Sequence, residues 1–322
     1  MSSNTKKLII MVIVFLLLSC FLSMVCGLSS FGFSFLNRNS SSGSGKTFPL
    51  SGNYSGIEIE SESGNIRFYE SNGKSAKVVW SGNNAMRFSV NTAGRTLKVR
   101  EKYKLPWFLR IGINPGKAEI GIYLPHADYK ELDLESDTGN ITVPAGFSFA
   151  SAEIETDTGT VDFHADVNKT LKIHTDTGKI TCSGSEPEKI EIHSDTGAVD
   201  VTDIRGTKDF KVNTDTGKIS LTNVSCDRLS AESDTGSLTL ANVVSSGKMD
   251  LETDTGSIHL DRCDAGKLEI ESDTGSINAA LLSDKIFTTK SETGKIDVPE
   301  SAGSGECSIK TDTGSITIRI VK

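Results

Sequence analysis

Large aromatic side chains are scarce over most of this 322-residue sequence. The chain has 14 Phe, 5 Tyr and 2 Trp, but only five of these 21 rings come after residue 130. They are Phe147, Phe149, Phe163, Phe210 and Phe287. Aromatic rings supply much of the buried area of ordinary globular cores. The scarcity therefore excludes a thick conventional core for residues 131–322.

An excess of basic residues and the boundary signals of helices are also missing. The sequence has 34 Lys and Arg against 42 Asp and Glu, which gives a formal net charge of −8. Nucleic acids select clustered Lys and Arg, so we expect no nucleic-acid partner. The repeated part of the sequence, residues 131–322, shows no helical start or stop signals, that is, no capping residues placed at the ends of a helical apolar pattern. We therefore expect this region to be built without helices.

One long apolar run lies near the N-terminus. Leu8–Leu28 covers 21 residues without a charge, and about 20 apolar residues span a bilayer as a helix. Lys6 and Lys7 precede the run, which favours a cytoplasmic N-terminus and an extracytoplasmic remainder. Leu17–Cys20 also resembles a lipobox, so a lipoprotein attached through Cys20 is the alternative. We predict a single-pass anchor in the cell membrane.

A tetrapeptide repeat dominates the second half of the sequence. Ser/Thr-Asp-Thr-Gly, once with Glu in place of Asp, recurs every 19–20 residues. Its glycines are Gly139, Gly159, Gly178, Gly197, Gly217, Gly236, Gly256, Gly275, Gly294 and Gly314. A repeat of this regularity predicts a solenoid, in which each unit stacks on the next. Ser61–Gly64 is a looser copy.

Apolar and polar residues alternate on both sides of each Gly. Positions seven and five residues before it are apolar, as in Leu171 and Ile173, and so are positions two and four after it, as in Ile180 and Cys182. Such alternation predicts strands with one buried face, and the change of phase at the Gly predicts a corner. We predict an all-β fold: a single-stranded β-solenoid (β-helix-like) of about ten 19–20-residue coils.

Residues 47–130 alternate without the regular period, and they hold most of the aromatic residues outside the N-terminal segment. This pattern predicts an irregular β cap on the solenoid. The predicted organisation is a cytoplasmic N-terminus (1–7), a transmembrane anchor (8–28), a Gly/Ser-rich spacer (29–46), the β cap region (47–130) and the solenoid (131–322).

The Asp-Thr-Gly corner admits three interpretations. In the first it is structural, with the Asp accepting a backbone N–H bond from two residues on and the Gly adopting unusual angles. In the second the stacked carboxylates bind calcium, although one carboxylate per coil is sparse for an ion that takes about six to eight oxygens. In the third it is the aspartic protease triplet, which needs two converging copies.

We favour the structural interpretation of the corner, and we expect no catalytic residue, no cofactor and no resident metal. The carboxylates that would carry the calcium alternative form one file along the stack. They are Asp137, Asp157, Asp176, Asp195, Asp215, Asp234, Asp254, Asp273, Glu292 and Asp312.

Outward-facing positions form further files along the stack. Six residues before the Gly, four successive coils carry charges of alternating sign, which favours the correct register. These residues are Glu153, Lys172, Glu191 and Lys211. Four residues before the Gly, His174 and His193 are expected to be neighbours. A weak transition-metal pair is one interpretation of these histidines, and a solvated pair is the favoured one.

The six cysteines do not form a disulfide pattern. Two fall in the apolar run, and Cys182, Cys263 and Cys307 occupy positions that are apolar in other coils, which predicts small core residues. Cys226 and Cys263 lie two coils apart, roughly 9–10 Å, which is too far for a disulfide. We predict no disulfides.

The junction between the cap and the repeats resembles a known family. Ile122–Pro125, Tyr129 and Leu132–Gly139, followed by the repeated coils, are similar to the bacterial β-strand-repeat family labelled "putative adhesins". The resemblance spans about residues 47–322. It implies a β-helix-like fold, membrane attachment and no established catalytic activity.

These observations predict a non-enzymatic, membrane-anchored extracytoplasmic β-solenoid, acting as an adhesin or as an envelope binding or structural module linked to envelope stress. Its expected partners are the membrane, through Leu8–Leu28, and an envelope protein or glycan. The final strand, Ile316–Lys322, has no cap after it, which predicts self-association there. The alternatives are a polysaccharide-active β-helix enzyme and a calcium-dependent surface scaffold.

Overall fold

In the residues that it describes, the computed structural model is all-β, and its strands join one continuous sheet that is wound as a solenoid. The described residues are 45–52, 54–71, 75–82, 84–109, 118–300 and 303–321. The predicted membrane segment, Cys20 and nearly all of the predicted spacer lie outside them. Across the described part of the chain, no helix has the length and apolar character needed to cross a membrane.

Within these ranges the sheet contains 23 strands, and one short 3-10 helix, Trp107–Leu109, follows the sixth. The strands are β1 (Lys46–Leu50), β2 (Gly56–Ser61), β3 (Asn65–Glu70), β4 (Ala76–Ser81), β5 (Met86–Ala93), β6 (Thr96–Tyr103), β7 (Glu119–Leu124), β8 (Asp128–Thr138), β9 (Ile141–Val143), β10 (Ser148–Thr158), β11 (Val161–Phe163), β12 (Asp166–Thr177), β13 (Ile180–Ser183), β14 (Lys189–Thr196), β15 (Val199–Thr216), β16 (Ile219–Thr235), β17 (Leu238–Thr255), β18 (Ile258–Thr274), β19 (Ile277–Leu281), β20 (Ile286–Thr293), β21 (Ile296–Asp297), β22 (Glu306–Thr313) and β23 (Ile316–Ile320).

Each repeated coil pairs in parallel with its neighbours. The long strand before the corner stacks on its equivalent, so that β8, β10 and β12 place Leu134, Ile154 and Ile173 side by side. The short strand after the corner does the same, with Phe163 of β11 opposite Cys182 of β13. All five side chains are at most 1% exposed. The predicted strands with one buried face are confirmed.

The corner glycine is required because the backbone of the neighbouring coil approaches so closely. A Cβ built on Gly217 would lie 1.9 Å from the carbonyl oxygen of Gly197, and the ten corner glycines show such distances of 1.8–2.5 Å. Gly217 itself has no positive φ. At this corner, contact between coils selects glycine, and not the unusual backbone angle that the sequence suggested.

The Ser or Thr that opens the tetrapeptide is a buried hydrogen-bond donor. Thr253 Oγ1 donates to the carbonyl oxygen of Gly236 in the preceding coil at 2.9 Å. The equivalent bond forms from Thr156, Ser194, Thr214, Ser233, Ser272, Ser291 and Thr311. The corner amide bonds to the next coil, since Gly217 N–H donates to Thr235 O at 2.9 Å. The next coil thus supplies the acceptor that the sequence had assigned to the Asp.

A second corner lies six residues after the Gly. Asp203, Asn223, Asn242 and Arg262 have φ values of 57°, 55°, 55° and 50°, in the left-handed region that Asn and Asp tolerate. Asn223 Nδ2 donates to Asp203 Oδ1 at 2.9 Å, and Asn242 Nδ2 donates to Asn223 Oδ1 at 3.0 Å. This polar ladder was not predicted, although an Asn recurring six residues after the Gly is a usable signal.

Part of the predicted cap is a regular coil. Strand β2 pairs in parallel with β8, and β3 pairs with β9, so the loose copy Ser61–Gly64 stacks against the first regular corner. Strands β1, β4 and β5 add antiparallel pairs to the sheet. The Trp80 and Phe88 rings stack here with centroids 5.0 Å apart. The fully buried Glu101 carboxylate accepts hydrogen bonds from Trp80 Nε1 at 2.8 Å and Ser61 Oγ at 2.9 Å.

The last two coils are stacked out of sequence order. Strands β22 and β23 pair with β18 and β19 on one side and with β20 and β21 on the other. The open end is therefore formed by β20 and β21, where Ile286 is 60% exposed and Ile296 is 41% exposed. The prediction that the final strand forms the open end is wrong, because β23 has a neighbour on both sides.

A buried lysine lies where the chain crosses to form this arrangement. Lys285 Nζ lies 2.6 Å from Asp264 Oδ1 and donates to Ala265 O at 2.6 Å and to Ser283 Oγ at 2.9 Å. Its side chain is 5% exposed, so each donated bond compensates for lost hydration. These contacts tie the segment that precedes β20 to strand β18.

Candidate functional site

Four consecutive coils present a polar groove on the outer face of β10, β12, β14 and β15. The groove has a volume of about 400 Å³. Its polar lining is Glu153, Glu155, Lys172, His174, Glu191, His193, Lys211 and Asn213. These side chains alternate along their strands with buried residues such as Ile173 and Ile192, and the rigid strands therefore fix their positions. We call this surface the polar groove.

One edge of the polar groove is the predicted ladder of alternating charge. Register pairs Glu153 with Lys172, Lys172 with Glu191 and Glu191 with Lys211, so this prediction is confirmed. Lys172 Nζ lies 3.5 Å from Glu153 Oε1. Exposed ion pairs contribute about 0–1 kcal/mol each. The ladder therefore helps to set register and presents both signs of charge to solvent, but it adds little stability.

His174 and His193 lie side by side in the middle of the groove. They are directly paired between β12 and β14, as predicted, and their rings stack with centroids 5.0 Å apart and planes inclined by 5°. The two side chains are 38% and 33% exposed. Asn213 on the next coil continues this file, and its Nδ2 lies 2.7 Å from His193 Nδ1.

A corner aspartate adjoins each of these histidines. His174 Nε2 lies 3.1 Å from Asp176 Oδ1, and His193 Nε2 lies 2.8 Å from Asp195 Oδ1. The approach follows from strand geometry, because residues i and i+2 share one face. These contacts between the His file and the Asp file were not predicted, because the two files were predicted as separate rows. The His-x-Asp spacing was the signal for them.

The corner carboxylates are exposed or half-exposed along their whole file. Among the residues that the structure describes, one cluster of at least three His, Cys, Asp or Glu donors is close enough to hold a metal ion, with all donor atoms within 4.8 Å of one another. It consists of His174, His193 and Asp195. The corner file thus contributes one carboxylate to this cluster. Calcium binding along the file stays an untested alternative to the favoured structural interpretation.

The cysteines of the repeats are core residues. Cys182, Cys226, Cys263 and Cys307 are free and buried, which confirms the interpretation of Cys182, Cys263 and Cys307. Burial raises the pKa of the Cys182 thiol to about 12 and that of Cys263 to about 11. Since the thiolate is the reactive form, these cysteines are poor nucleophiles at neutral pH.

A second surface lies where the described chain begins. Lys46, Arg87 and Lys104 surround a small cavity next to Trp80, and Lys46 Nζ lies 5.5 Å from the centre of the Trp80 ring. The segment after Lys104 exposes large apolar side chains: Leu105 is 42% exposed, Phe108 56% and Leu109 55%. We call these six residues, Lys46, Arg87, Lys104, Leu105, Phe108 and Leu109, the N-terminal patch.

The Toastrack DUF4097 family model matches residues 54–208 and 205–322. The chain belongs to the Toastrack DUF4097 family. The two matches cover the cap from residue 54 onwards, the polar groove and the out-of-order coils. The family resemblance of the sequence is thereby confirmed.

Solved structures give a consistent but weaker likeness to this Toastrack DUF4097 chain. A "putative adhesin" from Bacteroides fragilis is 12% identical, with 86% of this chain and 98% of the other covered and a TM-score of 0.38. A "putative lipid binding protein" from Parabacteroides distasonis is 17% identical, with 87% and 98% covered and a TM-score of 0.37.

A "putative adhesin" from Parabacteroides distasonis is 10% identical, with 84% of this chain and 98% of the other covered and a TM-score of 0.36. At these scores the likeness assigns no role to any residue of the Toastrack DUF4097 chain. No protein of curated function matches the sequence.

Proposed function

We propose that this chain is a non-enzymatic, membrane-anchored extracytoplasmic scaffold that binds a repeating envelope polymer through the polar groove. The observation that carries the proposal is the in-register polar face. Successive coils place Glu, Lys, His and Asn side chains in files on rigid parallel strands. Files that repeat at the spacing of strands, about 4.8 Å, suit a long hydroxylated or charged ligand better than one small molecule.

Membrane attachment is supported by the sequence and by the N-terminal patch. Leu8–Leu28 has the length and composition of a single-pass anchor, and Lys46 of the patch follows it by 18 residues in the sequence. Cations beside exposed Phe and Leu side chains are the combination that favours a bilayer surface with anionic headgroups. We infer that this end of the solenoid faces the membrane, and that the polar groove is displayed away from it in the envelope.

The binding test uses the full chain reconstituted in lipid vesicles and mixed with purified envelope glycan. Retention of glycan on sedimented vesicles is measured for the wild type and for the double variant Lys172→Glu with Lys211→Glu. This variant leaves the groove without its basic side chains, and we expect retention to fall at least about fivefold. The matched control is Lys218→Glu with Lys295→Glu, which makes the same charge change at exposed corner positions outside the groove.

Two outcomes would contradict the proposal. Equal retention by both double variants would remove the groove as the binding surface. Release of shortened or unsaturated sugar products by the wild-type chain would favour the polysaccharide-active enzyme. Repeating the measurement with a calcium chelator separates the calcium-dependent scaffold, which predicts loss of retention together with a large fall in melting temperature.

Self-association and a role in envelope stress also stay predictions. The edge available for pairing with a second copy is β20, since it has β22 on one side and exposed Ile286 at its start. Lys290, Glu292 and Lys295 in this coil are charged and exposed, and charges on an edge strand disfavour uncontrolled pairing.

A further inference from the structure

The geometry points to a binding site for one divalent transition-metal ion of the zinc class, formed by His174, His193 and Asp195 in the polar groove. Metal binding at this site does not require that the polar groove also bind a polymer. It differs from the calcium alternative in its ligands, because two of the three donors are imidazole nitrogens. Imidazole suits Zn²⁺, Ni²⁺ and Cu²⁺, whereas Ca²⁺ takes oxygen ligands.

The three donor side chains lie close together in the groove. His174 and His193 occupy the same position in adjacent coils, and the two rings are nearly parallel, inclined by 5°. One donor atom each from His174, His193 and Asp195 lies within 4.8 Å of the other two. A tetrahedral zinc ion, with bonds of about 2.0–2.1 Å, needs donors roughly 3.3 Å apart. Rotation of these partly exposed side chains supplies the difference, while the paired strands stay in place.

A neighbouring side chain is placed to orient one of the histidine rings. Metal-bound histidines usually donate the other ring N–H to a hydrogen-bond acceptor, which orients the ring. Asn213 already lies 2.7 Å from His193 Nδ1 through its side-chain amide. With Nε2 on the ion, the ring proton resides on Nδ1, and the Asn213 amide turned by 180° presents its oxygen to it. The chain therefore contains both the ligand and the residue that orients it.

The site would leave one coordination position of the ion open. Three protein ligands leave a fourth tetrahedral position for water or for an outside donor. The site faces solvent in the groove, where the negative charges of Glu155 and Glu191 favour a cation and the positive charges of Lys172 and Lys211 oppose it. Asp176, 3.1 Å from His174, adds a further carboxylate at the rim. The ion would thus be held on the surface that the groove presents to other molecules.

Other histidines provide matched controls. His164 Nε2 lies 2.8 Å from Asp162 Oδ1, so this residue repeats the His–Asp contact without a second histidine beside it. His259 is exposed and lies in β18, outside the cluster. A surface that binds metal through any accessible imidazole would treat these residues like His174 and His193.

The experiment is titration of the detergent-solubilised full chain with Zn²⁺ by calorimetry, with Cu²⁺ electron paramagnetic resonance as a second readout. We expect one ion per chain and two nitrogen ligands in the Cu²⁺ spectrum. His174→Gln and His193→Gln are each expected to raise the zinc dissociation constant at least about 30-fold, and Asp195→Asn is expected to raise it about five- to tenfold. His164→Gln and His259→Gln are expected to change it less than about twofold.

Three results would overturn the site. They are an unchanged dissociation constant in His174→Gln, an equal loss in His164→Gln, and a copper spectrum with a single nitrogen ligand in the wild type. Circular dichroism of every variant checks that the solenoid is folded. Because the replaced histidines are partly exposed, loss of folding is not expected, and Asp195→Asn gives a second test with a nearly isosteric change.

Discussion

The N-terminal cap and the repeated coils bury their polar groups in different ways. In most of the repeats, one hydroxyl donates to the carbonyl of the corner glycine in the adjacent coil, as Thr253 does to Gly236. In the cap, a single buried carboxylate, Glu101, serves Trp80 and Ser61 together. The repeats distribute their hydrogen bonds over many equivalent positions, whereas the cap concentrates them on one residue.

The apolar cores differ in the same way. The cap interlocks large rings, with Trp80, Phe88 and Phe48 in contact, while the repeats stack Ile, Val and Leu in layers. The pairings of one coil recur in its neighbours, whereas the ring contacts of the cap are not repeated along the stack. We therefore expect damage to the repeats to depend on backbone spacing, and damage to the cap to depend on individual side chains.

The largest expected effect comes from Gly217→Ala in the repeats. The added methyl group would lie 1.9 Å from Gly197 O, and the backbone on either side is held by the sheet. We expect the free energy of unfolding to fall by about 3 kcal/mol or more, measured by chemical denaturation. In the cap, the control Gly121→Ala meets the side chain of Tyr123 at 3.1 Å, which can move, and about 1 kcal/mol is expected. Equal losses would remove the proposed contrast.

The second effect is that of Glu101→Ala in the cap. The substitution leaves the buried Trp80 N–H without its acceptor, and it leaves the Ser61 hydroxyl with Gly64 O, at 3.1 Å, as the remaining acceptor. We expect a loss of about 3 kcal/mol, detected as a lower denaturation midpoint followed by Trp80 fluorescence. Glu101→Gln keeps one acceptor oxygen and is expected to lose roughly half as much. A larger loss in the Gln variant than in the Ala variant would contradict this role.

A smaller effect is expected at the second corner of the repeats. Asn223→Ala places an ordinary side chain at a φ of 55° and removes the bonds to Asp203 and Asn242. Together these changes are expected to cost about 1.5 kcal/mol, measured by thermal denaturation. Asn223→Gly tolerates the backbone angle and is expected to recover about 1 kcal/mol of the loss. If it recovers nothing, the side-chain ladder accounts for the whole effect.

The smallest effect is electrostatic. Partial burial, together with Glu232 and Glu271 on the adjacent coils, raises the pKa of Glu252 above its ordinary value. A carboxyl group whose pKa is higher in the folded state destabilises the fold once it is charged. The stability that the protonated Glu252 contributes is therefore present below its unfolded-state pKa, and it is lost as the pH rises through its folded-state pKa. We expect Glu252→Gln to stabilise the protein by about 0.3 kcal/mol at pH 7.

Glu269 provides the opposite case for comparison. Hydrogen bonds from Lys248 and Lys267 lower the pKa of Glu269. The stability that the charged Glu269 contributes is therefore present above its unfolded-state pKa, and it is lost as the pH falls through its folded-state pKa. Glu269→Gln is expected to destabilise the protein slightly at pH 7 and to have no effect in acid. Melting temperatures between pH 3 and pH 8 (about the range over which carboxylates titrate) check both signs. Shifts in the same direction for the two variants would contradict the pKa assignments.

Much of the solenoid and part of its candidate site followed from spacing alone. The corner glycines, the buried positions around them and the pairing of His174 with His193 depend on the 19–20-residue period, which is a local property of the chain. The contact between His193 and Asp195 was missed because it joins two files that were considered separately. The reason for the corner glycine was also missed, since the clash at Gly217 comes from Gly197 in another coil.

The sequence by itself determined the coil, its corner and the face that each residue presents, because period and alternation act within one repeat. Only the tertiary structure decided the order in which the coils stack. Near-identical repeats offer near-identical edges, so β18 could accept either of the last two coils. The pairing of β22 with β18 places the final coil inside the stack, and the contacts of Lys285 with Asp264 and Ala265 hold the segment before β20 against β18. That choice depends on contacts between residues far apart in the chain, which no repeat period encodes.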